Sequence, residues 1–443
     1  MHLVSDHTLH ELQIVSEKSM EASILSFFDR TKSYGGRDLL KRMIRNPMQN
    51  SEEILASQDL LRSVSSNFHY WEVNVSHAYI AASESYYESN IVHTMSQDVI
   101  QHWFQTMMFA YRNEAEFHLI QSGVAATIRV LSALQDTVTQ LSYFGFPDSF
   151  KDDFGFLKSF LDSFALRSYV NQQGKSLSDR STFYLDYFFR KQHKREFRRV
   201  LDIFYTLDAI TSIARTAREH TLCYPDFVSH DTCFDVTGLW HPLIANSTRN
   251  DISLNGNSGI CILTGANTSG KTTFLKSYGV AVYLAHLGWP VPATSLRLSF
   301  SNRLFTSIHL SDDLTLGYSH FYNEIMRVKE IAQALYNGEK CTVLIDELFR
   351  GTNQEDALHC SQTVIDGFTN YKSSIFIVST HLMELLEKYL SSKEVCFNCF
   401  KTKITGGEFE NTFLLEQGIA SEKVGKLIME KVGIPALLRG NIN

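Results

Sequence analysis

Gly265, Gly270, Lys271 and Thr272 stand at the spacing G-x-x-x-x-G-K-[ST] within the stretch "ILTGANTSGKTTFL", residues 262–275. A loop of this kind wraps phosphates with main-chain N–H groups, sends its lysine to the β- and γ-phosphates and holds Mg²⁺ with its hydroxyl. Two carboxylates, Asp346 and Glu347, close the apolar run Cys341 to Ile345. Strand C-termini are where parallel-sheet proteins place their chemistry. Asp346 suits a water-mediated Mg²⁺ contact, and Glu347 suits orienting and deprotonating an attacking water. A third apolar run, in "SSIFIVSTHLMEL", ends in Thr380 and His381. Beside a phosphate site such an imidazole can sense the γ-phosphate and polarise water; read alone, it is a polar loop residue.

These groups need elements to hold them. The loop requires a strand before it and a helix after it. Gly259 to Thr264 is short, apolar and β-branched, and "KTTFLKSYGVAVYLAHLG" stays compatible with helix until Gly288 and Pro290. The N-terminus of that helix favours anions. Upstream of about residue 235 long stretches with almost no Pro or Gly read as helix, whereas downstream β-branched runs alternate with helical segments. The expected fold is therefore α plus α/β, with a helical core or lever domain over 1–235 and a P-loop domain with a mainly parallel sheet over 236–443.

The chain has 443 residues, 44% of them hydrophobic and 20% charged, which fits a soluble globular protein of two to four domains. A net charge of −7 supplies no global basic field, so any DNA contact must come from local patches. No uninterrupted apolar stretch reaches membrane-spanning length, and "MHLVSDHTLHELQIVSEK" lacks the order of a signal peptide, so a cytoplasmic protein is expected. Seven scattered cysteines suit a reducing compartment. Cys396 and Cys399 form one C-x-x-C with no second pair at zinc spacing, and read as strand residues.

"TGANTSGKTTFLKS", "SDDLTLGYSHFYNEI", "LIDELFRGTNQEDA" and "STHLMEL" resemble, in order, the four ATPase motifs of the MutS family of DNA mismatch-repair proteins. "GLWHPLI" and "NDISL" resemble the lead into the family's nucleotide strand. "ILSFFDRTKSYGGRDLLKRMIRNPMQNSEEI", with Thr31, Gly35, Arg37, Leu40 and Pro47, resembles the opening of its helical core, and "LDAITSIARTA" the core helix that returns to the ATPase. The resemblance covers nearly the whole chain and is weakest between about residues 65 and 195. It implies an ABC-type ATPase with ATP and Mg²⁺ sandwiched between two subunits. Asn267 and Thr273 would join the phosphate loop, Ser319 would reach the partner's γ-phosphate, and Arg350, Gly351, Thr352 and Asp356 would help couple the two sites.

Departures from the family stand at Ser269 and Phe349, where it usually has glycine, and at His320, where it usually has threonine. None removes a phosphate or metal ligand. Full-length members carry a mismatch-reading domain with a Phe-x-Glu wedge ahead of the core, and such wedges unstack a base step. Here the core match starts near residue 11 and no Phe-x-Glu occurs, so direct mismatch sensing by that route is expected to be missing. The clamp region, within about 65–195, reads as shortened. It ends in "RKQHKREFRRV", whose Arg190, Lys191, Lys194, Arg195, Arg198 and Arg199 are either a solvated face or a phosphate-contacting surface. "EQGIASEKVGKLIMEKVGIPALL" resembles the family's lead into a helical dimerisation element. The expected protein is a homodimeric, Mg²⁺-dependent ATPase that grips double-stranded or branched DNA. The competing reading is an ATP-gated scaffold for a protein partner; a transporter-type ATPase lacks its L-S-G-G-Q segment here.

Overall fold

A computed structural model of the chain describes residues 3–16, 21–89, 108, 114–170, 177–229, 232–308, 320–405, 408–420, 429 and 434–439. The chain divides into two compact units, one of Met1–Phe27, Asn46–Gln58 and His220–Asn443, the other of Phe28–Arg45 and Asp59–Glu219.

The first unit is built on strands β1 (Asp226–Val228), β2 (Cys233–Leu239), β3 (Asn250–Asn255), β4 (Ile260–Gly265), β5 (Ser295–Ser299), β6 (Arg303–Ser307), β7 (Cys341–Asp346), β8 (Ile375–Ser379), β9 (Val395–Thr405) and β10 (Glu408–Gln417). They form two mixed sheets, in orders β1-β5-β2-β3 and β10-β9-β4-β8-β7-β6. In the larger sheet β9, β4, β8, β7 and β6 pair in parallel, and β10 closes the edge antiparallel to β9. Every residue of β4, β7 and β8 is buried, which explains why their sequences are continuous apolar runs instead of alternating ones. In the smaller sheet β3 alternates buried and exposed residues, so one face is covered and the other is not.

The helix Lys271–His286 packs between the two sheets. Its Tyr278 ring stacks on Phe234 of β2 at 3.7 Å, and Phe274 meets Phe400 of β9 at 5.9 Å. Residues all round the helix are buried, as its apolar composition without a polar stripe requires. Cys396 and Cys399 lie on β9 and neither is in a disulfide. Segments from the start of the chain join this unit too. The Leu304 N–H donates to Leu3 O at 2.8 Å, the Ile308 N–H donates to Glu11 Oε1 at 2.8 Å, and the Met48 N–H donates to His286 O at 2.9 Å. They precede the change of character near residue 235 yet pack with the strands that follow it.

The second unit is helical. The helix Lys194–Glu219 lies along Tyr34–Arg45, and Glu114–Phe144 lies along His77–Glu88, where Ser83 and Thr127 hydroxyls meet at 2.9 Å and Gly123 lets Tyr86 approach closely. By length and composition Glu114–Phe144 is apolar enough to cross a membrane; its most apolar stretch, mean hydropathy 1.3, is 61% buried inside the unit. Packing against neighbouring helices accounts for that composition.

Candidate functional site

Strand order brings the chemistry together. β8 lies between β4 and β7, with Leu263 in register with Ser379 and Ser379 in register with Asp346. The glycine loop, the acidic pair and His381 therefore share one edge, the C-terminal one, of three adjacent parallel strands.

The loop leaves β4 at Gly265, with φ of 145°, and enters the helix at Gly270, with φ of 108°. Both values fall in the region glycine adopts freely. A Cβ on Gly265 would stand 2.7 Å from Ser269 Oγ and 3.0 Å from Phe400 O, so the turn is also too tight for a side chain. Ser269 is fully buried, and its hydroxyl donates to Ala266 O at 2.8 Å, which shows how the serine is accommodated within the turn. Asn267 is exposed at the loop tip and Thr273 half-buried in the first helical turn.

Lys271 is 4% exposed, and its Nζ donates to Gly265 O at 2.8 Å and Ala266 O at 3.0 Å, 3.4 Å from His381 Nε2. Burial lowers the ammonium's pKa, opposed by the charges of Glu347 and Asp346. The Thr272 hydroxyl donates to Asp346 Oδ2 at 2.5 Å, and Ser379 Oγ donates to Oδ1 at 2.5 Å. A hydroxyl oxygen and a carboxylate at contact are hard donors of the kind Mg²⁺ uses when phosphates and water fill its remaining positions. Among the described residues no group of three or more His, Cys, Asp or Glu could hold a metal, so any ion here would lean on a nucleotide.

Glu347 sits at φ of 61°, unusual for a residue with a side chain. Its N–H donates to Ser379 O at 3.2 Å and Oγ at 3.1 Å. Its carboxylate lies between two cations or donors, with Oε1 2.7 Å from His381 Nε2 and Oε2 2.7 Å from Arg350 Nε. The His381 hydrogen bond foremost, then the nearby positive charges, hold its pKa below the usual carboxylate value against the opposing effect of burial. Asp356 is engaged locally: its N–H donates to Asn353 Oδ1 at 2.9 Å, and Asn353 Nδ2 donates back to Oδ2 at 2.6 Å, capping the helix Gln354–Phe368. Ser319 lies outside the described residues.

Three contributors escape a reading of motifs. Ser379 bridges Asp346 and Glu347 from a position that looks like ordinary strand. Asn411 Nδ2 donates to Thr268 O at 3.0 Å and Oγ1 at 3.2 Å, tying β10 to the loop tip. Phe413, 46% exposed with φ of 55°, would stand 3.3 Å from a Cβ on Gly270. Asn250 fixes its backbone, donating from Nδ2 to Phe413 O at 3.1 Å and accepting from the Leu415 N–H at 2.7 Å. The Ser379 contacts span 32 and 33 positions and those of Asn411 and Phe413 more than 140, beyond the reach of local spacing.

The basic cluster splits. Arg190 is bound to Asp186, Nε to Oδ1 at 2.6 Å and Nη2 to Oδ2 at 2.9 Å, with the Tyr86 hydroxyl donating to the same carboxylate at 2.5 Å. Arg199 donates to Asp153 at 2.9 Å and lies over the Phe156 ring, and Arg198 pairs with Asp202 at 3.4 Å. Lys191, Lys194 and Arg195 are exposed. Arg190 and Lys191 lie in a π-helical turn, Phe188–Gln192, ahead of the helix Lys194–Glu219 that carries the rest.

Residues 261–439 match the family model for MutS domain V. The chain is 31% identical over 236 residues to the DNA mismatch repair protein MutS of Wolbachia pipientis wMel, a match covering 52% of this chain and 27% of that protein. It is 29% identical over 236 residues to the DNA mismatch repair protein MutS of Ehrlichia ruminantium (strain Gardel), and 28% identical over 232 residues to that of Anaplasma phagocytophilum (strain HZ), each match covering 52% of this chain and 28% of the relative. The chain thus spans little more than a quarter of the length of these relatives.

Proposed function

We propose that this chain, whose C-terminal half is of the MutS family, is an ATP-dependent DNA-binding protein that hydrolyses ATP at sites shared between two copies and so moves its helical unit on DNA. The observation that carries the reading is the meeting of Lys271, Thr272, Asp346, Glu347 and His381 at one strand edge beside the glycine loop. Lys271 would turn from the Gly265 and Ala266 carbonyls to the β/γ-phosphates, leaving little cost because its ammonium is already desolvated. Thr272 and Asp346 would hold Mg²⁺, which supplies charge neutralisation across the β- and γ-phosphates.

Glu347 faces the edge where an attacking water would stand. A carboxylate whose pKa is held low is a weak base, so its larger contribution is to orient that water, with His381 holding the carboxylate in place. This agrees with phosphoryl transfer in general, where positioning and charge stabilisation outweigh covalent help. The exposed Phe413 ring beside Gly270 offers a flat apolar surface for a purine base. Ser319 of a second copy would complete the site, and Asn267, Thr273 and Asp356 would border it. Lys191, Lys194 and Arg195 are the free-standing part of the basic cluster for sequence-blind phosphate contact. Mismatch repair or a related DNA-maintenance process in the cytoplasm is the setting this machinery suits.

The test is turnover of purified protein with Mg²⁺-ATP, alone and with duplex, branched and mismatched DNA, beside calorimetric titration of the nucleotide. Uptake of nucleotide with turnover stimulated by DNA is expected. Nucleotide-driven dimerisation without turnover or DNA retention would favour the scaffold reading, and no uptake would overturn both.

A further inference from the structure

We propose that Glu324 is a positioning residue for hydrolysis, fixing the turn 347–351 and through it the Glu347 carboxylate; the inference rests on the ATPase reading above. The turn is strained. Glu347 and Phe349 both carry side chains in the left-handed region, at φ of 61° and 60°. Such backbone persists only where its surroundings over-determine it.

One restraint comes from β8, where Ser379 accepts the Glu347 N–H. The other comes from the first turns of the helix His320–Tyr336. Glu324, 6% exposed, accepts the Arg350 N–H on Oε1 at 3.2 Å. Phe321 meets the Phe349 ring edge-on, with centroids 5.8 Å apart and planes at 67°. Gly351 lies so close to this helix that a Cβ there would stand 2.7 Å from the Phe321 nitrogen. The Arg350 amide held by Glu324 belongs to the residue whose guanidinium grips Glu347 Oε2 at 2.7 Å. Movement of that amide therefore moves the clamp on the water-orienting carboxylate.

Burial of a carboxylate is unfavourable unless its hydrogen bonds are used, and a hydrophobic side chain would fill the same place at no electrostatic cost. The helix is already anchored through Ile331, Ala334 and Leu335 in the core of the unit. Glu324 supplies an acceptor for one amide of the strained turn. Its bond to the Arg350 amide acts on the turn that carries Glu347, so its loss should reach turnover and spare nucleotide affinity.

The experiment compares Glu324→Leu, Glu324→Gln and wild type for ATP turnover, Kd for the non-hydrolysable analogue AMP-PNP with Mg²⁺, and Tm. Leucine removes the acceptor while keeping the site filled; glutamine keeps an acceptor oxygen. The expected result is kcat about tenfold or more lower in Glu324→Leu with Kd within about twofold and Tm unchanged, and rescue to near wild type in Glu324→Gln. Gly351→Ala, which forces the helix away from the turn, should give the same selective loss, and it decides the matter if the leucine variant does not fold. Wild-type kcat in folded Glu324→Leu, equal loss in both Glu324 variants, or a Kd rising in step with the fall in kcat overturns the proposal. Wild-type protein that turns over and stops with Glu347→Gln shows that the ATPase reading stands whichever way Glu324 falls; absence of wild-type turnover overturns both.

Discussion

Glu347 shows how much one position can carry. Its backbone is in an unfavoured region, its amide is held by Ser379, and its carboxylate is shared between His381 and Arg350. Replacement by glutamine keeps the size and most hydrogen bonds but removes the charge that orients water. Glu347→Gln should leave nucleotide Kd unchanged and lower kcat about a hundredfold or more, measured by single-turnover hydrolysis. Turnover at the wild-type rate would remove Glu347 from its role. Phe349 is instructive in another way. It stands where glycine is usual in the family it resembles, and its φ of 60° explains why glycine suits the place. Here packing of the ring, 3% exposed against Phe321, offsets a backbone cost of about 1 kcal/mol.

Helix ends reveal a second kind of dependence. The first turn of Tyr34–Arg45 and the two residues before it present amides without helical partners, and two carboxylates from distant helices accept them. Asp208 receives the Lys32 N–H at 3.0 Å, the Ser33 N–H at 2.8 Å and the Ser33 hydroxyl at 2.5 Å, while Glu84 receives the Tyr34 and Gly35 N–H groups at 3.2 and 3.0 Å. Burial raises the Asp208 pKa in spite of these bonds, so the carboxylate is there for the amides it caps and not for its own solvation. Asp208→Ala should destabilise the helical unit by about 3 kcal/mol in denaturant titrations, because several buried donors lose their acceptor together. The basic cluster divides along the same line. Lys194→Glu with Arg195→Glu should weaken DNA binding similarly for all sequences and flatten its dependence on salt, with stability unaltered. Arg190→Ala should instead cost about 3 kcal/mol of stability by leaving the buried Asp186 carboxylate without its countercharge. A destabilised Lys194→Glu/Arg195→Glu double variant, or an Arg190→Ala variant of full stability, would reverse this assignment.

At the scale of the molecule, pH couples to the unit that holds the site. His286 is fully buried, its Nδ1 2.8 Å from Val282 O and its Nε2 accepting the Ser301 N–H at 3.1 Å. Burial lowers its pKa to about 4, against 6.5 for the free group, and His241 is lowered to about 4 in the same way. A base that protonates more readily unfolded than folded contributes its full stability above pH 6.5 and loses it as pH falls from 6.5 towards 4. Each such group tilts the stability curve by about 1.4 kcal/mol per pH unit across that window. His286→Gln, which cannot take up a proton there, should remove one share of the slope when unfolding is followed at pH 5 and pH 7.5. An unchanged slope would place the pH dependence elsewhere.

The amino-acid sequence alone determined the phosphate loop, the acidic strand end, the mostly helical character before about residue 235 and the buried strands after it. These are local: glycine and lysine spacing, and apolar runs without polar alternation, act within a few residues of one another. Only the tertiary structure decided which strand tips become neighbours, that Ser379 bridges Asp346 and Glu347, and that Asn411 and Phe413 reach the loop from the sheet edge. It also decided that Arg190 is spent on Asp186 and that residues from the start of the chain pack beside strands three hundred positions later. The reason is physical. Strand order and the close approach of distant backbones follow from how complete elements bury their faces against each other, and no local pattern of residue types encodes that choice.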